Sequence, residues 1–281
     1  GAASMQRIDE LLSVKPAIAD RPDAVDVSEL RGAFEVRGLT FRYPGTEREP
    51  ALRGIDLHIP AGTTLGVVGP VGSGKSTLAA IVPRLFEVED GRVFIDGIDI
   101  NRIRLATLRK HVAAVPQESF LFSMTLSDNI AFGLDRTDPE VVERAAGRAQ
   151  LHKDLVELPD GYETVVGERG VMLSGGQRQR AALARALALD PRILILDDTL
   201  SAVDAETEAA IQRELDEVFA GRTVIVVSSR VSAVRTADRI VVLDAGRIVE
   251  SGDHETLLAE GGLYARLARE QAERDEFEGA A

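Results

Sequence analysis

The chain has 281 residues, 44% hydrophobic and 28% charged, the balance of an ordinary globular protein with a substantial core. It contains no cysteine, which excludes disulfides and thiolate metal sites. A formal net charge of −13 lacks the basic footprint of a non-specific nucleic-acid binder, and no apolar run approaches the ~18 residues of a membrane-spanning helix.

Residues 1–13 place Met5, Ile8, Leu11 and Leu12 at helical spacing, and Asp9 and Glu10 interrupt any apolar core of a signal peptide. Residues 14–30, with Pro16, Pro22 and several Asp, read as a linker. Alternation then sets in at Phe34, Val36, Leu39, Phe41 and Tyr43, and again at Ile55, Leu57 and Ile59. It predicts strands with turns at Pro44-Gly45 and Pro60-Ala61-Gly62. Leu65-Gly66-Val67-Val68 reads as a short buried strand, and a helix is expected from about Thr77. Gly91 to Gly97 is a further strand ending in an Asp-Gly turn. Leu105 to Leu189 is mainly helical in pattern, broken near Pro116, Gly133, Pro139, Pro159-Asp160-Gly161 and Gly167. Ile193–Leu196 and Val224–Val227, separated by a helical stretch, form a βαβ unit and imply a parallel sheet. Arg239 to Glu250 reads as a hairpin around Asp244-Ala245-Gly246, and the tail from His254 as helical.

Between the strand at Val68 and the next helix lies Gly69-Pro70-Val71-Gly72-Ser73-Gly74-Lys75-Ser76-Thr77, the phosphate-binding P-loop pattern. Its glycines let backbone N–H groups curl around an anion, and the helix N-terminus adds partial positive charge. Lys75 is expected to reach the β- and γ-phosphates of a nucleotide, and Ser76 to hold Mg²⁺. The strand Ile193–Leu196 delivers Asp197-Asp198 beside that loop, the Walker B arrangement. There Asp197 would hold Mg²⁺ and the next position could polarise the attacking water. Leu173-Ser174-Gly175-Gly176-Gln177 opens a helix expected over Arg178 to Leu189, with Ser174 as N-cap and two glycines baring the backbone. One chain does not need two such anion grips for one ATP. A dimer would use both, each nucleotide lying between one P-loop and the partner's helix end.

In these motifs and their order the sequence resembles the nucleotide-binding domain of an ATP-binding cassette (ABC) transporter, over about residues 31–269. The resemblance implies an α/β fold. Its parts are a P-loop NTPase (RecA-like) core with a parallel sheet, an antiparallel β subdomain, and an inserted α-helical signature subdomain at about 118–185. Residues 1–30 would be the end of a membrane-domain helix and a linker, and 270–281 a polar tail. ATP and Mg²⁺ are the implied cofactors. Tyr43, in Phe41-Arg42-Tyr43-Pro44-Gly45, matches the aromatic that stacks on adenine. Gln117, after Val115-Pro116, matches a glutamine that touches Mg²⁺ and relays to the membrane domain. Ser201-Ala202-Val203-Asp204 matches the loop that crosses the dimer interface. Thr164 to Gly170, around Glu168, resembles a stretch of exporters near the membrane-domain coupling helices. Residues 1–8 resemble the end of an exporter's last membrane helix, so the expectation is a piece of a longer protein at the cytoplasmic face of the cell membrane. The implied partners are transmembrane domains, through the Gln117 and Glu168 regions, and a second nucleotide-binding domain, with no nucleic acid.

Two positions depart from the family pattern. After Asp197 the family has Glu, where this chain has Asp198, shorter by about 1.5 Å, a C–C bond length. After Val224–Val227 the family has Ser-His-Arg, its His contacting the γ-phosphate, where this chain has Ser228-Ser229-Arg230. Such a pair resembles the degenerate half of a heterodimeric exporter, with slow hydrolysis at its own P-loop and an intact LSGGQ for the partner's site. A homodimeric exporter with two weakened sites, or an ATP-gated module that does not hydrolyse, would carry the same residues. A soluble ABC protein acting on nucleic acid fits less well, given the acidic balance and the exporter-type segment.

Overall fold

The computed structural model describes residues 2–13, 16–167, 171–199, 207, 211 and 218–279. Helix α1 (Ala2–Ser13) leaves Met5, Ile8 and Leu12 exposed, and no helix among the described residues is long and apolar enough to cross a membrane. The segment read as a linker is fastened to the fold beyond it. Arg84 donates to Ala19 O at 3.1 Å, Arg21 forks onto Asp90 at 2.7 and 2.8 Å, and Thr107 donates to Asp26 at 2.6 Å. Val25 forms a parallel bridge with Ile103, and Leu30 is already in the core.

Strands β1 (Phe34–Phe41) and β2 (Leu52–Ile59) pair antiparallel, with Phe34 opposite Ile59 and Val36 opposite Leu57. Their inward residues are the apolar ones of the alternation, which is why a one-residue slip would expose the whole set. Next in the chain come β3 (Thr64–Val68), α2 (Lys75–Ile81), β4 (Val93–Ile95) and β5 (Ile98–Asp99). Strands β4 and β5 join through Asp96 and Gly97, both at positive φ, the two-residue turn that an Asp-Gly pair favours. They extend the antiparallel sheet to the order β2-β1-β4-β5.

Helix α3 (Leu105–His111) runs into β6 (Val112–Val115), a strand inside the stretch whose pattern is mainly helical. Four apolar residues are too few for periodicity to separate helix from strand. Pairing decides it: Val112 lies opposite Ile193 and Val115 opposite Leu196 in a parallel ladder. Helices α4 (Leu126–Ile130), α5 (Pro139–Arg148), α6 (His152–Val156) and α7 (Gly175–Ala188) follow. The last starts three residues before its expected Arg178, because the glycines themselves are helical. Then come β7 (Ile193–Asp197), β8 (Thr223–Ser228), β9 (Arg239–Asp244), β10 (Arg247–Gly252), α8 (His254–Glu260) and α9 (Leu263–Gly279). The expected hairpin is β9–β10, turning at Ala245-Gly246.

The larger sheet has the order β10-β9-β3-β8-β7-β6, parallel except for β10. Its inner parallel strands are near-continuous apolar runs because both faces are covered, whereas the edge strand β10 is polar and partly exposed. On one face Leu65, Val67, Ile193, Ile195, Ile225 and Val227 share a core with α2 and the antiparallel sheet. On the other, Leu194 and Leu196 pack with α4, α5 and α7, and Ile240 and Val242 with α8 and α9. Strand β8 lies between β3 and β7. The C-terminal ends of these three strands therefore form one edge, where open α/β sheets bind ligands.

Candidate functional site

The loop from β3 to α2 is shaped by glycine at two crowded points. A Cβ on Gly69 would stand 2.1 Å from Leu243 O, and one on Gly74 2.7 Å from Ala51 O. Gly74 is also the N-cap of α2, at φ 102°, and no side chain caps that helix. Gly72 (φ 81°) completes the curl. Ser73 is buried, and its Oγ has no hydrogen-bond partner among the described residues. Lys75 is buried too, and Nζ donates to Gly69 O at 2.8 Å and Pro70 O at 3.0 Å, arching back over the loop. Burial pushes its pKa down, while the nearby Asp198 and Asp197 carboxylates favour its charge. A buried ammonium whose hydrogen bonds go to neutral carbonyls, beside backbone N–H groups without a side-chain cap among the described residues, is a cradle for an anion.

Ser76 Oγ donates to Asp197 Oδ1 at 3.2 Å, joining the helix start to the end of β7. Burial pushes the Asp197 carboxyl up, the Ser76 hydrogen bond opposes this, and the Asp198 charge adds to the rise. A cation between these groups would relieve that cost. The two hard oxygens suit Mg²⁺, which keeps several waters and needs few protein ligands. No larger group of metal-binding side chains occurs among the described residues.

Asp198 follows at φ 44°, a left-handed position rare for a non-glycine residue. Its N–H donates to Val227 O at 2.8 Å, and Oδ1 accepts from Ser228 Oγ at 2.7 Å and from the Ser229 N–H at 3.4 Å. The exposed Ser229 is thus placed beside Asp198. Ser228 was not singled out in the sequence, although a hydroxyl directly ending an apolar strand was a signal.

Tyr43 is 38% exposed. Its hydroxyl hydrogen-bonds Thr77 Oγ1 at 2.8 Å, and its ring meets Phe41 and Phe86 edge-on at 5.3 and 5.2 Å. The aromatic is therefore tied to the first turn of α2. Gln117 is exposed two residues beyond β6, whose last residue Val115 aligns with Leu196. The segment just after it is held by two residues the sequence reading passed over. Buried Asn129 binds Phe122 N and O at 2.9 and 3.0 Å, and Arg185 donates to Phe120 O at 3.0 Å and Asn129 Oδ1 at 2.8 Å.

Ser174, Gly175, Gly176 and Gln177 start α7 with a complete capping box. Gln177 N donates to Ser174 Oγ at 3.1 Å, and Ser174 N to Gln177 Oε1 at 3.0 Å. Asp154 then accepts from Gln177 Nε2 at 3.0 Å and from Arg180 at 2.8 Å. Leu173 and the α7 alanines belong to the core of α4 and α5, whereas α2 belongs to the opposite face of the sheet. The structure thus gathers Tyr43, the P-loop, Asp197, Asp198 and Ser229 around one sheet edge and places Ser174–Gln177 in a different part. Glu168 and Asp204 lie outside the described residues.

Comparison with known proteins agrees with this geometry. Residues 52–201, more than half of the chain, match the family described as ABC transporter. The chain is 48% identical over 269 residues to the cyclolysin secretion/processing ATP-binding protein CyaB of Bordetella pertussis, covering 96% of this chain and 37% of that protein. It is 42% identical over 275 residues to an ATP-dependent lipid A-core flippase of Syntrophus aciditrophicus, covering 98% and 45%. The solved structure of a bacterial Atm1-family ABC exporter with ATP bound is similar over 96% of this chain and 47% of that one, with a TM-score of 0.89 and 37% identity. The chain spans less than half the length of each of these relatives. The P-loop with its paired carboxylates and the α7 capping box both lie within the matched residues, and the chain belongs to the ABC transporter family as a nucleotide-binding domain.

Proposed function

We propose that this chain is the ATP-binding cassette of an exporter, that it binds Mg·ATP at its own P-loop, and that it hydrolyses that ATP slowly. The observation that carries the reading is the Ser76–Asp197 contact of 3.2 Å beside the buried Lys75, with Asp198 drawn onto the end of β8. Lys75 and the Gly69–Thr77 amides hold the phosphates, Tyr43 stacks on adenine, and Ser76, Asp197 and Gln117 hold the metal. Bound Mg²⁺ supplies neutralisation of charge on the β- and γ-oxygens. Asp198 orients the attacking water from a carboxylate about 1.5 Å short of the family's Glu, and Ser229 offers a hydroxyl where the family has imidazole. Positioned acid–base groups contribute roughly 10²–10⁴-fold, so imperfect geometry at both slows turnover while binding persists.

Ser174–Gln177 and Asp204 act on the nucleotide of a second nucleotide-binding domain, which carries the family's Glu and His and hydrolyses faster. Residues 31–269 form the cassette, with 118–185 as its helical signature part. The regions of Gln117 and Glu168 meet the transmembrane domains, which places the cassette at the cytoplasmic face of the membrane. The relatives' names support the exporter reading: one is a secretion ATP-binding protein, one a flippase. The test measures Mg·ATP binding and turnover of the chain, alone and with such a second domain. Binding with slow turnover at this P-loop is expected, and Asp198→Glu with Ser229→His should raise it in the dimer. Wild-type turnover equal to that of a cassette with Glu and His, or no gain in the double variant, would sink the degenerate-site reading.

A further inference from the structure

Strand β8 ends between the P-loop strand and the strand that carries Asp197 and Asp198, so its last side chain stands at the centre of the site edge. That side chain is Ser228, 2% exposed. Its Oγ accepts the Arg230 N–H at 3.1 Å and donates to Asp198 Oδ1 at 2.7 Å. A hydroxyl has one proton, and here the Arg230 amide occupies one acceptor position while the carboxylate takes the proton. The Asp198 main chain is fixed independently by its bond to Val227 O and its left-handed φ of 44°. With the backbone set, Asp198 Oδ1 is held by the Ser229 N–H at 3.4 Å and, more closely, by the Ser228 hydroxyl at 2.7 Å, the one side chain of the two donors.

We propose that Ser228 is a positioning residue of this site: its hydroxyl takes Asp198 Oδ1 and leaves the other carboxylate oxygen for the attacking water. This rests on the reading of Asp198 as the group that orients the attacking water. A longer Glu can reach its water from the end of β7. The shorter Asp is served instead by a buried donor on the neighbouring strand, and that donor makes what hydrolysis this chain has depend on residue 228.

The experiment uses the whole chain in single-turnover and steady-state ATP hydrolysis, with nucleotide affinity from a fluorescent ATP analogue and melting without nucleotide. Ser228→Ala is expected to lower kcat by roughly tenfold, the scale of a lost hydrogen bond to a charged group, with KM and analogue affinity unchanged. Ser228→Thr keeps the hydroxyl and should retain most of the rate. In an Asp198→Asn background Ser228→Ala should cost nothing more, and in nucleotide-free melting the two substitutions should be non-additive. A residue that merely stapled β8 to β7 would move melting but slow both backgrounds alike. Unchanged kcat in Ser228→Ala, an equal loss in the Asp198→Asn background, or a loss carried by KM overturns the proposal for Ser228 alone. Unchanged kcat in Asp198→Asn overturns the assignment of Asp198 and the Ser228 proposal with it.

Discussion

Two glycine-rich helix starts, Gly72–Lys75 leading into α2 and Ser174–Gly176 opening α7, are built in opposite ways. The first has a left-handed Gly74 at its cap, no capping side chain, and a buried lysine folded over its own carbonyls. The second is capped reciprocally by Ser174 and Gln177, with Gln177 braced on Asp154. An uncapped start leaves donors for an outside acceptor to complete. A capping box takes up only the Ser174 and Gln177 amides, so it fixes the helix start while the bared Gly175 and Gly176 backbone stays on offer to something else. That contrast fits a loop that holds this chain's own nucleotide and a signature that serves a neighbour's.

Glycine substitutions would break the comparison most directly. Gly74→Ala puts a Cβ 2.7 Å from Ala51 O and forces alanine to φ 102°, so a loss of about 3 kcal/mol in urea unfolding is expected, with loss of ATP binding. A stable variant that still binds ATP would show that the loop does not need its left-handed turn. Ser174→Ala removes one half of the capping box and should cost about 1 kcal/mol, leaving ATP affinity at this chain's P-loop untouched. If affinity fell with it, the two starts would be coupled within one chain. Gly176→Ala is expected to have the opposite sign from Gly74→Ala. Residue 176 is already helical, so alanine should stabilise the chain by about 0.5 kcal/mol while hindering hydrolysis in a dimer. Destabilisation there would mean that Gly176 is needed for this chain's own packing.

Much of the site was legible because it is local. The P-loop, Asp197-Asp198 and the LSGGQ cap are each a few consecutive residues whose chemistry depends on their neighbours in sequence. Ser228 was not legible, because its importance comes from a bond to Asp198, thirty residues earlier in the chain. Asn129 and Arg185 escaped for the same reason, 56 residues apart and joined over the segment that follows Gln117. The Tyr43–Thr77 hydrogen bond likewise joins an expected adenine-stacking ring to an expected P-loop residue, a link neither motif contains. Strand β6 was hidden inside a helical stretch because Val112–Val115 is one apolar run with no period of its own.

By itself the sequence determined the P-loop between a strand and a helix, the glycines at Gly69 and Gly74, and the two substitutions at Asp198 and Ser229, since each is a property of residue type and adjacency. Only the tertiary structure decided which strand stands beside which. Placing β8 between β3 and β7 brings Ser228 to Asp198 and both to the P-loop edge. Sheet order is set by burying both faces of the strands under α2, the antiparallel sheet and the α4–α7 helices, a packing among distant segments that no short stretch of sequence encodes.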